Sequence, residues 1–129
     1  MIQGHQSWIF QSKPIILGCS AVGGPFEAKG ALAGEFDLLH EDIWLGQDSF
    51  EKAEKKLLEE ACNLAIKNSK VKKDDINFFL SGDLMNQITS SSFSARSLKI
   101  PYLGIFGACS SSMEGLALAS FIVDSGGAN

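Results

Sequence analysis

Basic side chains are scarce in this sequence. Eleven Lys and Arg stand against fifteen Asp and Glu, giving a net charge of −4 and a pI near 5.1. A nucleic-acid-binding domain needs a basic stripe to neutralise phosphates, so that class of function is excluded. Cysteine is equally sparse: Cys19, Cys62 and Cys109 form no CxxC pair, and His5 and His40 are the two histidines. Neither a disulfide framework nor a structural zinc site is expected, and a reducing cytoplasm fits that usage best. Long hydrophobic runs are missing too. The opening MIQGHQSWIFQSKP has no basic n-region, and Trp8-Ile9-Phe10 is too short for the apolar core of a signal peptide. Ile100 to Val123 carries one charge, Glu114, but Pro101, Gly104, Gly107 and Ser110-Ser111-Ser112 interrupt it. Its cleanest stretch, Gly115 to Val123, is nine residues, against the roughly 20 that a bilayer requires. The expectation is a soluble chain with no signal peptide or transmembrane helix, reaching a membrane only through partners.

What is present is an ordinary packed composition. The 129 residues are 45% hydrophobic and 20% charged, which suits one domain and excludes intrinsic disorder. Ile15 to Val22 is a short apolar run closed by Gly23-Gly24-Pro25 and reads as a buried strand. From Gly23 to Gln47 no period is visible; Phe36, Leu38, Leu39, Ile43 and Trp44 nonetheless give this long loop enough apolar mass to pack. Asp48 to Asn68 is a helix. Asp48 and Glu51 have the form of a capping box, and Phe50, Ala53, Leu57, Ala61, Leu64 and Ala65 make one apolar face. Glu51–Lys55, Lys55–Glu59 and Lys56–Glu60 fall four apart on the wet side. Ile76 to Leu80 is a second strand, Asp83 caps a second helix in which Leu84, Ile88, Ser91, Ala95 and Leu98 fall at helical spacing, Pro101 stops it, and Tyr102 to Phe106 is a third strand. Ser110 to Asp124 is the last helix.

Strands alternating with helices predict an α/β fold with a mainly parallel sheet. The last helix differs from the first. Met113, Leu116, Ala117, Leu118, Ala119, Phe121, Ile122 and Val123 leave it almost no polar face. A helix apolar all round is buried on every side, which in this class of fold means a central helix between two sheets. A second half of the protein or a partner subunit is expected to cover it.

Cys109 stands where the third strand gives way to that helix. The first-turn amides of Ser110, Ser111 and Ser112 are expected to lack intrahelical partners and to point near its sulfur. Their partial positive charge favours a thiolate, or equally the carboxylate of a ligand. Cys109 is therefore either a nucleophile or a wall of a binding pocket, and a free cysteine is also at home as a small buried hydrophobe. Cys19 and Cys62 read as structural. Neither histidine is placed to serve Cys109 as a base. Asp37, His40, Glu41 and Asp42 lack regular ligand spacing and read as a solvated acidic loop, so no metal site or cofactor is expected. The glycines at 23–24 and 126–127 match no phosphate loop.

Strand, charged helix, INFFLSGDLMNQI and IPYLGIFGACSSSMEGLALAS, in that order, resemble the N-terminal half of the thiolase superfamily. Cys109 falls where its condensing enzymes place their nucleophile, at the N-terminus of a central buried helix. More closely, QSWIF, GEFDLLHEDIWLGQDSFEKAEKKLLEEA, SGDLMNQI and GACSSSMEGLALAS are similar to the stage V sporulation protein AD family, a non-condensing branch of that superfamily in endospore-forming bacteria. The similarity runs from about Trp8 to the end. It implies a thiolase-like half-domain over residues 1–129, a probable fragment whose C-terminal half lies elsewhere. It also implies binding of dipicolinic acid with calcium and its uptake into the developing spore. Partners would be other SpoVA proteins at the cytoplasmic face of the forespore inner membrane, and a second copy in a homodimer. Pairing would run through Tyr102 to Phe106, with Asp83 to Thr89 near the partner's pocket. The ligand-binding residues would be Cys109, Ser110, Ser111 and Ser112; the alternative is an acyltransferase of the ketoacyl synthase type with Cys109 as acyl acceptor. The His and Asn, or second His, of thiolase-type catalysis match nothing in this chain.

Overall fold

The structure, a computed structural model, describes residues 2–129. Three helices carry it: α1 (Phe50–Ser69), α2 (Thr89–Leu98) and α3 (Ser111–Asp124). Six short strands pair two by two. β1 (Ile2–Gln3) and β2 (Ser7–Trp8) form an antiparallel hairpin, whereas β3 (Val22–Gly23) with β4 (Leu38–Leu39) and β5 (Phe79–Ser81) with β6 (Tyr102–Gly104) are parallel. The chain is thus mixed α/β, as the alternating pattern predicted, and β5–α2–β6 is a βαβ unit.

The first predicted strand is corrected. Residues 15–21 lie outside any strand, with Ile15 and Ile16 at 76% and 72% exposure, and pairing begins only at Val22. An apolar run becomes a strand only where a neighbour supplies hydrogen bonds, and in this chain the ladder partner arrives at Leu38. The segment instead runs along α1, where Ser20 Oγ donates to Ala61 O at 2.6 Å and Asn68 Nδ2 donates to Cys19 O at 2.9 Å.

α1 forms close to its predicted span, but its cap is Ser49, not Asp48. Ser49 has extended backbone, and its hydroxyl accepts from Lys52 N at 3.3 Å. Asp48 pairs with Lys52 instead, at 2.7 Å. Of the three predicted ion pairs, Lys55–Glu59 forms at 2.7 Å. Lys56 Nζ donates to Leu45 O at 2.9 Å, and Glu60 meets His40 Nε2 at 2.5 Å. Those two contacts, with Trp44 stacked on Phe50 at 4.1 Å, fasten the long loop to the helix. The loop packs, as its apolar content required, and Leu45 is buried.

The tightest packing lies between α1, α2 and β5. Ala53, Ala95, Leu98 and Ile100 are buried there with Ser81, Ser90, Ser91 and Ser94. Small side chains let the two helices approach until Ser94 Oγ reaches Lys55 O at 3.4 Å, while Ser81 and Ser91 hydroxyls bond at 2.9 Å. α3 packs one face against β5 and the N-terminal arm, with Trp8 on Phe121 at 5.7 Å. It has no buried residue, and Met113, Leu116 and Phe121 stand exposed. The expectation of burial on every side is not met within this chain, because it offers a single layer against which the helix can lie.

Candidate functional site

β5 and β6 are in register, Ser81 opposite Gly104, so both strands end on the same side. Parallel strands place their functional loops in the crevice beyond their carboxyl ends. Here those loops are Gly82-Asp83-Leu84 and the turn from Ile105 to Ser110. They touch: Ile105 N donates to Ser81 O at 3.1 Å, and a Cβ on Gly82 would collide with Ile105 O. Only glycine allows that approach. Beside them, a cavity of about 340 Å³ is lined by Glu54 and Leu58 of α1, Asp83, Leu84, Ala108 and Ser111.

Cys109 sits in the middle of a single 3₁₀ turn, Ala108–Ser110, that leads into α3; its thiol is free and exposed. Ala108 takes the left-handed conformation, with φ of 48°, which strains a residue carrying a Cβ. Gly107 is constrained by contact instead. A Cβ there would lie 2.6 Å from Glu114 Oε2 and 2.5 Å from Ser110 Oγ. The turn uses up donors that were expected to be free. Ser110 N donates to Gly107 O at 2.9 Å, Ser111 N donates to Ala108 O, and Ser111 Oγ accepts from Gly107 N at 3.1 Å. The amides of Ser110 and Ser111 are therefore engaged within the turn, a correction to the picture of an open helix terminus. The 3₁₀ geometry causes this, because i to i+3 bonds tighten the first turn. Ser112 lies exposed one residue on.

The electrostatics of the cavity are acidic. Asp83 Oδ1 accepts from Met85 N at 2.9 Å and Oδ2 from Ser91 N at 2.7 Å, so it reaches the first turn of α2 from outside. The expected helix from Leu84 is corrected: Leu84 and Met85 lie in a bend, Asn86–Ile88 form a 3₁₀ turn with Gln87 and Ile88 left-handed, and α2 starts at Thr89 with Ile88 at its N-cap. Glu54 is held above the usual carboxylate range by burial first and by the Asp83 charge second. The other titratable candidates lie elsewhere. His40 is engaged by Glu60, and His5 is exposed in the N-terminal hairpin. Asp37 accepts from Ala21 N and Asp42 from Trp44 N and Gly46 N, so the acidic loop is tied locally. Cys62, half-buried on α1, is pushed up to about 11 by burial and by Glu59. Cys19 is exposed, contrary to its predicted place in a buried strand. Glu54 was missed from sequence, although its spacing of three and four to Leu57 and Leu58 put it on the face turned to the cavity.

Comparison with known proteins decides the family. The model of the stage V sporulation protein AD (SpoVAD) family matches residues 4–129. The chain belongs to the SpoVAD family. It is 42% identical over 125 residues to stage V sporulation protein AD of Bacillus subtilis (strain 168), covering 97% of this chain and 37% of that relative. The chain thus spans a little over a third of the length of this sporulation relative. No helix among the described residues is long and apolar enough to cross a membrane.

Proposed function

We propose that this chain is the N-terminal, thiolase-like portion of a component that binds dipicolinic acid with calcium. The component would serve its uptake into the developing spore beside other SpoVA proteins, as a peripheral homodimer at the cytoplasmic face of the forespore inner membrane. Membership of the SpoVAD family carries the reading. The position of Cys109 on a turn at the carboxyl ends of a parallel pair supports it. Glu54, Asp83 and Glu114 near that turn would repel a bare dianion at close range. They suit a dicarboxylate whose charge is neutralised by calcium, or one also met by cations from the rest of the protein. Cys109 and the serines 110–112 are the proposed contacts, with Ser112 favoured, because the Ser110 hydroxyl donates to Gly107 O and the Ser111 hydroxyl accepts from Gly107 N, as the two amides are also engaged.

The test is calorimetric titration of calcium dipicolinate into the complete protein. Cys109→Ser should keep most of the affinity, because the reading assigns the sulfur no essential bond. Cys109→Trp should abolish binding by crowding the turn, whose Ala108 and Ser111, and not Cys109 itself, line the cavity. Wild-type affinity in the Trp variant would place the site elsewhere.

The exposed thiol favours a second reading, acyl transfer. There the Cys109 Sγ would attack an acyl-CoA carbonyl and release the coenzyme A thiol. Incubation with acyl-CoA followed by mass spectrometry separates the two, since only the enzyme forms a thioester on Cys109.

A further inference from the structure

The cavity at the Cys109 turn is mostly apolar, with Val22, Leu57, Leu58 and Leu84 on its wall, and its two charged groups are Glu54 and Asp83. They differ in how they are held. Asp83 is fixed, because Met85 N and Ser91 N donate to its two oxygens. Glu54 is half-buried on α1, and no donor among the described residues lowers its pKa. Burial and the Asp83 charge already tilt it toward the neutral form. The other charged groups on the surrounding elements are turned elsewhere. On α1, Glu51 is held at the Ser49 cap and Lys55 by Glu59. Beside β3, Glu27 accepts from Gly24 N. α2 carries Arg96 alone, exposed and off the cavity wall, and Glu114 lies against Gly107 outside that wall. The charge inside the cavity therefore changes by one unit when Glu54 takes up or releases a proton.

We propose, resting on the dipicolinate reading above, that Glu54 is the specificity residue of this cavity and chooses between two forms of one ligand. Its protonated carboxyl admits the bare dicarboxylate, and its ionised carboxylate favours the same dicarboxylate bound to calcium. Protonated, Glu54 has one O–H to donate to a ligand carboxylate and no charge to repel it. Ionised, it only accepts, and with Asp83 it presents two negative charges that attract a hard divalent cation and repel a dianion. Entry of the bare anion thus draws a proton from solvent onto Glu54, and entry of the calcium complex releases one. Selectivity for the calcium complex rises with pH.

The test is calorimetric titration of the complete protein with dipicolinate, once beside a calcium chelator and once in excess calcium, at about pH 5 and about pH 7.5. Between those values the wild-type preference for the calcium form should grow about tenfold, within the roughly tenfold per pH unit that one linked proton allows. Glu54→Gln should show no such growth, and at the higher pH it should bind the bare form more tightly than the wild type does. The ratio of variant to wild type cancels the ligand's own titration. Wild-type titrations in two buffers of different ionisation enthalpy, at about pH 6, count the proton without any variant. Uptake is expected with the bare ligand and release with the calcium complex. A wild type that binds neither form overturns the dipicolinate reading and the role of Glu54 together. A wild type that binds with the pH profile of Glu54→Gln, or exchanges no proton, overturns the role of Glu54 and leaves the dipicolinate reading standing.

Discussion

Glu54 is the residue whose environment most directly reports on the candidate site. Burial and the Asp83 charge both disfavour its ionised form, so its folded-state pKa lies above its unfolded value. A folded state that binds the extra proton more tightly loses stability as pH rises through the window between those two values. The penalty is fully present above the raised folded-state value, and below the usual carboxylate range it vanishes. Glu54→Gln keeps the shape and removes the charge. We expect it to raise the midpoint of urea unfolding at pH 7, with the advantage shrinking to nothing on acidification toward pH 4. An equal advantage at both pH values would show that the effect is packing and not ionisation. Asp124 has the opposite sign: hydrogen bonds from the Ser12 backbone and hydroxyl hold its carboxyl below the usual range, which ties the N-terminal arm to the end of α3 above that range.

At the scale of elements, the loop from β5 to α2 governs the site. Gln87 and Ile88 are both left-handed, with φ of 57° and 48°, and the second is β-branched. Such backbone persists only where its surroundings over-determine it. Asp83 supplies that constraint by accepting from Met85 N and Ser91 N, and the Ile88 side chain packs over Gly104 of β6. Gly82 is the hinge of this arrangement. Gly82→Ala would drive a methyl group into Ile105 O and break the bond from Ile105 N to Ser81 O that closes the two strands. Overpacking of this kind costs about 1–3 kcal/mol. Chemical denaturation of the variant should show that loss, together with weaker ligand binding at the Cys109 turn. A variant as stable as the wild type would mean the loop can shift without cost.

Over the whole molecule, apolar surface is left over. Ile15, Ile16 and Leu17 lie beside a groove that also takes in Phe78, Leu80 and Ile122, and Met113 and Leu116 project from α3 close by. Contiguous exposed apolar side chains mark surfaces that another protein layer covers. We expect the isolated chain to associate at micromolar concentration in light scattering. Replacing Met113 and Leu116 together by Glu should return it toward the monomer. A wild-type chain that stays monomeric across that range would contradict the expectation. In the complete protein the same face is expected to be covered, and a homodimer should elute at twice the chain mass.

The class of fold, the spans of α1 and α3 and the place of Cys109 were legible in the sequence, whereas the start of α2 at Thr89 was not. Helical spacing from Phe50 to Ala65, the stop at Pro101 and the apolar run after Gly115 are local signals, written by periodicity and by backbone sterics. It also carried the family resemblance, in segments such as SGDLMNQI and GACSSSMEGLALAS that composition alone could not distinguish. Tertiary structure decided what depends on partners distant in the chain. Whether Ile15 to Val22 is a strand turns on where Leu38 sits, and Asp83 reaches the first turn of α2 only because the loop folds back to Ser91. Ser110 and Ser111 lose their free amides to a 3₁₀ turn that the Ser111 hydroxyl closes by accepting from Gly107 N. Glu54 becomes a site residue because α1 lies across the ends of β5 and β6. Local spacing fixes which way a side chain points along its own helix. What it meets there is set by long-range packing, and no window of neighbouring residues encodes that.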